Sequence, residues 1–309
     1  GFLFAVQGAG PGHAGRLGSR GTAHVFPYGA EHFAGSIPAA AALAARWRRD
    51  HAAGRLPAPA DVDDRYFAYF YLPQFALAWA HAAPTLPPVD LVPEEVTTLP
   101  GAGLVVVRRR GWSATVSTRL GGALAVQRED GAPAYLLGYE VGLAGGGGLV
   151  SHHWQAPPEP PQVARQDRTV TVRVRSRFAA ARRGQPLVRW AVPFRALTRL
   201  LACGRLAEAF HALIKRRMVN PRPTARIEMW RSLAIGPHEV AVRDEIRLRD
   251  RAARVTRLAP AGHIAPHSPS ARQDPGEALG VDLDADAAAR LVRDGRLVIE
   301  RRFNLSDGV

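Results

Sequence analysis

Residues 99–122 read LPGAGLVVVRRRGWSATVSTRLGG, and the fold turns on how that stretch is read. Leu104 to Val107 form an apolar, largely β-branched run. Gly101 and Gly103 bound it on one side and Gly111 on the other, the pattern of a strand between two turns. From Trp112 to Leu120, Ala114, Val116 and Thr118 alternate with Ser113, Thr115 and Ser117, which predicts a second, half-buried strand. Upstream of this stretch the chain reads as helices. Downstream nearly every apolar run is short.

Working outward toward the C-terminus, strands are predicted at 103–108, 113–118, 123–127, 134–140, 149–154, 169–178, 225–235, 239–248 and 295–305. Gly236-Pro237-His238 sits between two alternating runs and predicts a hairpin. In one run Val170, Val172 and Val174 alternate with Arg173, Arg175 and Arg177, so those arginines belong to the solvated side of an amphipathic strand. Many short strands separated by Gly and Pro turns indicate a sandwich or barrel. Pro193 to Met218 interrupts them with helical periodicity, its apolar phase jumping at Cys203-Gly204. Lys215, Arg216 and Arg217 suit the C-terminus of the second of two short helices. A further short helix is predicted over 282–290.

Toward the N-terminus, Pro27 suits the first turn of a helix that runs to about His51, interrupted at Pro38. Residues 54–61 read as a linker turn. The 64–83 segment is apolar almost to the length of a membrane span, but Pro73, Gln74 and His81 lie within it. A buried helix in a multi-helix array explains it better. Residues 84–95 are proline-rich and acidic, as in an interdomain linker. The expected fold is therefore α+β and multidomain. A helical unit over 1–95 precedes a large antiparallel β-sandwich over 96–309, with a helical insertion around 191–219.

The 309 residues carry a formal charge of +14, and Lys215 is the single lysine among 41 basic residues. So uniform a use of arginine reads as coding bias before it reads as a site. The arginines are dispersed through the strands without interleaved free aromatics, which argues against a nucleic-acid partner. Cys203 stands alone, so no internal disulfide forms. The opening at Gly1 and the close inside what reads as a strand, Arg296 to Leu305, read as those of a piece of a longer protein.

The glycine-rich segment 7–21, QGAGPGHAGRLGSRG, contains the spacing Gly10-x-Gly12-x-x-Gly15. Gly18 and Gly21 keep the chain broken where a dinucleotide fold needs a helix, and no acidic residue follows at the expected distance. It reads instead as a loop over a cleft. It leads into SRGTAHVFPYGAEHF (19–33), the densest set of chemical groups in the chain. Tyr28, Glu31 and His32 fall at i, i+3 and i+4 of the predicted helix, with Arg20 and His24 just before it. A tyrosine and a histidine there supply an acid and a base, and an arginine can neutralise a substrate carboxylate. The same residues also suit a packed helix with Tyr28 and His32 turned inward; both readings stand. Further on, His152, His153 and Trp154 follow a glycine turn, and an aromatic beside a histidine suits a sugar platform. Adjacent histidines on a strand face opposite ways and lack further ligands in spacing, so no metal is predicted.

Helices that hand over to strands at Pro100, Gly103, Val105 to Val107 and Arg108 resemble the heparinase II/III-like polysaccharide lyases, toroid-plus-sandwich proteins. The resemblance implies that the helices are the end of an α/α toroid, that a tyrosine and a histidine face the cleft, and that the protein is extracytoplasmic. It implies eliminative cleavage of a uronate-containing, anionic polysaccharide without a cofactor. Arg20 would neutralise the carboxylate, His24 or His32 would take the C5 proton and Tyr28 would protonate the leaving oxygen. In that family a His-x-His-x-Asp-like motif follows the strand. The region here, SATVSTRLGGALAVQ, has no histidine, so the resemblance implies no catalytic or metal residue from the sandwich. The alternative is a non-catalytic module that binds an anionic glycan, or a membrane surface through the basic helix at 194–218.

Overall fold

The computed structural model describes residues 17, 26–56, 67–86, 96–129, 133–145, 147–153, 155, 157–180, 208, 223–250, 254–261, 277–279, 283 and 286–305. It is a mixed α+β structure with two large, mainly antiparallel sheets and few helices. The helices before the sheets are α1 (Tyr28–Phe33), α2 (Pro38–Ala52) and α3 (Leu72–Ala80), the last preceded by a π-helical turn at Phe67–Tyr71. The break between α1 and α2 falls where Pro38 was expected to put it. Ala30, Ala34, Ala41, Leu43, Ala44, Trp47 and Leu56 bury one another there, small residues letting α1 and α2 approach closely.

The apolar segment at 64–83 was expected to be buried, and it is not. Of its described residues only Tyr71 and Ala78 are buried, while Trp79 is 87% exposed. It packs against α1, and Phe75 stacks on Tyr71 and meets His51 of α2. Among the described residues no helix is long and apolar enough to cross a membrane.

The strands are β1 (Val96–Leu99), β2 (Leu104–Arg109), β3 (Trp112–Ser117), β4 (Ala123–Arg128) and β5 (Ala134–Leu136), then β6 (Tyr139–Leu143), β7 (Gly148–Val150) and β8 (Gln162–Gln166). After them come β9 (Thr169–Ala180), β10 (Pro223–Ile235), β11 (Glu239–Leu248), β12 (Val255–Pro260), β13 (Glu277–Ala278) and β14 (Arg296–Asn304). The smaller sheet has the order β1-β2-β3-β4-β5-β13. The larger runs β12-β6-β7-β9-β10-β11-β14, with β8 also paired to β9. β1, β8, β12 and β13 carry no strong alternation and were not predicted.

The opening stretch is the centre of the smaller sheet, but β3 is buried along its whole length, not half-buried. Val105, Val107, Trp112, Ala114, Val116, Leu124 and Val126 share one apolar cluster with Val170, Val172, Val174, Leu233, Ile235, Val240 and Val242 of the larger sheet. The opposite face of β4 and β5 is covered too, where Ala123, Ala125 and Tyr135 pack with Leu17 and Ala261. Thr118 leaves the strand into a short 3-10 turn.

The single strand expected at 134–140 is two, because the chain changes sheet inside it. β5 belongs to the smaller sheet and β6 to the larger, and Gly138 (φ +142°) makes the crossing. A Cβ there would stand 2.3 Å from the Ser151 hydroxyl, which accepts the Tyr139 N–H at 2.9 Å. The expected hairpin at Gly236 is present, with Ile235 opposite Val240. The short C-terminal helix is α4 (Ala287–Asp294), shifted from the predicted 282–290. Gly295 ends it in the left-handed region, its N–H bonded to the Leu291 carbonyl at 2.9 Å. α4 lays Ala287 and Leu291 onto the larger sheet beside Ile227, Met229 and Ile246. The predicted helical insertion lies outside the described residues apart from Glu208.

Candidate functional site

α1 positions the predicted chemical groups, and its geometry separates them. Residues four apart on a helix are nearly aligned, whereas i+3 and i+4 lie 100° apart. Tyr28 and His32 therefore stay together while Glu31 turns inward. Glu31 is buried and receives a forked bond from Arg48 of α2, Nε to Oε1 at 2.8 Å, and Arg48 Nη2 also donates to the Ala83 carbonyl at 3.0 Å. This fork ties α1, α2 and the segment after α3 together. Donating hydrogen bonds to Glu31 holds the Arg48 guanidinium above its usual range. Glu31 is a positioning residue.

His32 and Tyr28 face a third ring that the sequence reading did not include among the site residues, His81 at the C-terminal cap of α3. The Tyr28 ring centre is 5.5 Å from that of His32 and 5.4 Å from that of His81. The two imidazoles meet edge-on at 4.9 Å, with Nδ1 of one 3.4 Å from Nδ1 of the other. A bond between two Nδ1 atoms requires one ring to carry its proton there and the other to present a lone pair. Both histidines are exposed and Tyr28 is half-buried. A proton donor, a proton acceptor and a phenol thus converge on one open surface. His81 lies 49 residues from His32, so no spacing could have joined them.

Arg20, His24 and Trp154 lie outside the described residues. His152 and His153 belong to the strand-rich part, just past β7, and both are buried. His153 Nε2 lies 2.9 Å from the Arg177 carbonyl, which also accepts from Gln155 Nε2 at 3.2 Å. The Cβ of His152 lies against Gly138, where the chain changes sheet. They sit within the fold and not on an open face. Among the described residues no three His, Cys, Asp or Glu side chains gather as a metal site requires.

A second ionisable group is buried between the sheets. Arg231 and Asp244 are directly opposed on β10 and β11, and both are wholly enclosed. Arg231 Nε and Nη2 donate to the two Asp244 oxygens at 2.7 and 2.8 Å. Its Nη1 reaches the Gly122 and Leu136 carbonyls of the smaller sheet at 3.2 and 3.3 Å. Tyr139 donates its hydroxyl proton to Asp244 Oδ2 at 2.7 Å and accepts from Arg301. Burial, then the Asp244 charge, pushes the Tyr139 phenol far above its usual range. The Arg231–Asp244 pair is wholly enclosed and bonded to carbonyls on both sides of the sheet interface, which holds the sheets in register.

Comparison with known proteins found no matching family model, no matching curated protein and no matching solved structure.

Proposed function

We propose that the chain acts on an anionic, uronate-containing polysaccharide by β-elimination, with the Tyr28–His32–His81 group as its acid and base. The observation that carries this reading is the meeting of His32 and His81 at 3.4 Å beside the Tyr28 ring on an open surface. β-Elimination removes the proton at C5, α to the carboxylate, and the C4–O bond breaks as the C4=C5 double bond forms. The leaving oxygen takes a proton. One imidazole with a free lone pair can accept the first proton, and the phenol can supply the second. In this reading the helices belong to an α/α toroid, and the two sheets that share one apolar cluster are the layers of a sandwich. Arg20 and His24 are assigned by type to carboxylate neutralisation and proton transfer.

The test is absorbance near 232 nm, where the unsaturated uronate product absorbs, with full-length protein on a panel of acidic polysaccharides. A rising signal that Tyr28→Phe lowers by about 10²–10⁴-fold is the expected result. A flat trace with every polymer would end the lyase assignment, and retardation of the same polymers in a gel would transfer it to non-catalytic glycan binding.

A further inference from the structure

The outer face of the larger sheet carries a groove that the Tyr28 group does not use. Residues on that face fall into rows across β9, β10 and β11, fixed by the register of the strands. One row is Arg177–Glu228–Arg247, the next Arg175–Trp230–Glu245, the next Arg173–Ser232–Arg243, and the last Thr171–Ala234–Ala241. The first two rows are self-satisfied. Glu228 is buried and ion-paired to Arg175, Arg177 and Arg249. The Trp230 ring is covered by the guanidinium groups of Arg247 at 4.5 Å, Arg175 at 5.0 Å and Arg249 at 5.6 Å.

The next two rows are different. Ser232, Ala234 and Ala241 are too small to fill the face, and they floor two hollows of about 360 and 430 Å³ that share Ser232 and Arg243. Arg173 and Arg243 stand on either side of Ser232, two strand spacings or about 10 Å apart. Both are exposed. Among the described residues Arg243 pairs only with the exposed Glu300 at 3.1 Å, and Arg173 has no ion-pair partner. Arg302 edges the far hollow, while Glu159, Gln162 and Glu245 edge the near one.

We propose that this groove binds a segment of an acidic oligosaccharide, with Arg173 and Arg243 as the ligands of its carboxylates. The floor gives room for sugar rings, the arginines fork onto carboxylate oxygens, and Ser232, Gln162 and the two glutamates exchange hydrogen bonds with hydroxyls. A nucleic acid fits less well. Its bases need an open aromatic face, which Trp230, covered by three guanidinium groups, does not offer. The class of ligand rests on the function proposed above. The groove is separate from the Tyr28 group, so the two assignments fail separately.

The experiment is titration of a uronate hexasaccharide into the full chain by calorimetry, with a neutral hexasaccharide and a DNA oligonucleotide as comparisons. The Arg173→Gln/Arg243→Gln variant weakens uronate binding at least about tenfold, since each charge-assisted pair contributes more than a neutral one. Ala241→Trp, which fills the floor and keeps every charge, weakens it as well. Arg110→Gln/Arg293→Gln removes the same charge from other exposed positions and leaves the affinity within about twofold, as separated charges are screened. Equal loss in that control, DNA bound as tightly as the uronate, no uronate binding at all, or undiminished binding by the Arg173/Arg243 variant would each overturn the proposal. Loss of 232 nm activity in Tyr28→Phe with hexasaccharide binding intact separates this site from the reaction.

Discussion

At the scale of single residues, the buried Arg231–Asp244 pair is the point on which the sheets agree. It interrupts an inward row that is otherwise apolar, with Ile227, Met229, Leu233 and Ile235 on β10 and Val240, Val242, Ile246 and Leu248 on β11. Removing one partner strands the other charge without water, so Asp244→Asn is expected to cost about 3–5 kcal/mol in chemical denaturation. Tyr139→Phe, which removes one donor from Asp244, is expected to cost about 1–2 kcal/mol. Gly121 (φ +65°), one residue before the Gly122 carbonyl that Arg231 binds, is required because a Cβ there would lie 2.5 Å from the Ser151 carbonyl oxygen. Gly121→Ala adds about 1–2 kcal/mol of left-handed strain to that clash, a loss that a melting experiment detects.

Glu228 gives the pH dependence. Burial resists its ionisation, but hydrogen bonds from Arg175 and Arg249, with their charges, outweigh this and hold it below the ordinary glutamate value of 4.5. A carboxyl depressed in the folded state stabilises the fold above its unfolded value and loses that contribution as pH falls through its folded one. Glu228→Gln should therefore cost about 1.5–3 kcal/mol at pH 7. The gap to the parent protein should close as the pH drops below 4.5. A gap that stays constant to pH 3 would show that Glu228 acts by shape and not by charge.

At the scale of elements, the alternating strands were legible and the irregular ones were not. β9, β10 and β11 announce themselves because one face is apolar and the other is charged, and the Gly236 turn fixes the register of β10 against β11. Once Ile235 is set against Val240, counting back places Arg231 opposite Asp244, so even the buried pair was readable from the two charges that break the inward rows. β1 and β8 each pair with the strand that follows them across a short turn, but they are short and lack a clean apolar–polar alternation, so little in their own residues marks them. β3 misled the reading because Ser113, Thr115 and Ser117 look like a wet face, yet that face is covered. α4 shows how little of an element need be apolar to hold it. Leu291 is its fully buried anchor on the larger sheet, and Leu291→Ala is expected to cost about 2–5 kcal/mol.

Across the whole molecule, the arginine excess divides into three uses. Some arginines hold the fold, as Arg48 does on Glu31 and Arg231 on Asp244. Others coat Trp230 and clamp Glu228. The remainder, led by Arg173, leave the protein strongly basic, and composition alone could not sort them because only pairing across strands does. The helical site was legible in part. Tyr28 and His32 followed from helix geometry, the pairing of Glu31 with Arg48 was invisible to it, and His81 was brought in by packing between helices distant in sequence.

His81 is therefore where the functional account is most exposed, since the folded chain and not the sequence puts it beside His32. The decisive measurement is the 232 nm rate of His81→Ala against the parent on whichever acidic polysaccharide is cleaved, with thermal melts confirming that both are folded. A proton-transfer role predicts a loss of about 10²–10⁴ in kcat with KM little changed. An undiminished kcat in a folded His81→Ala protein would contradict it.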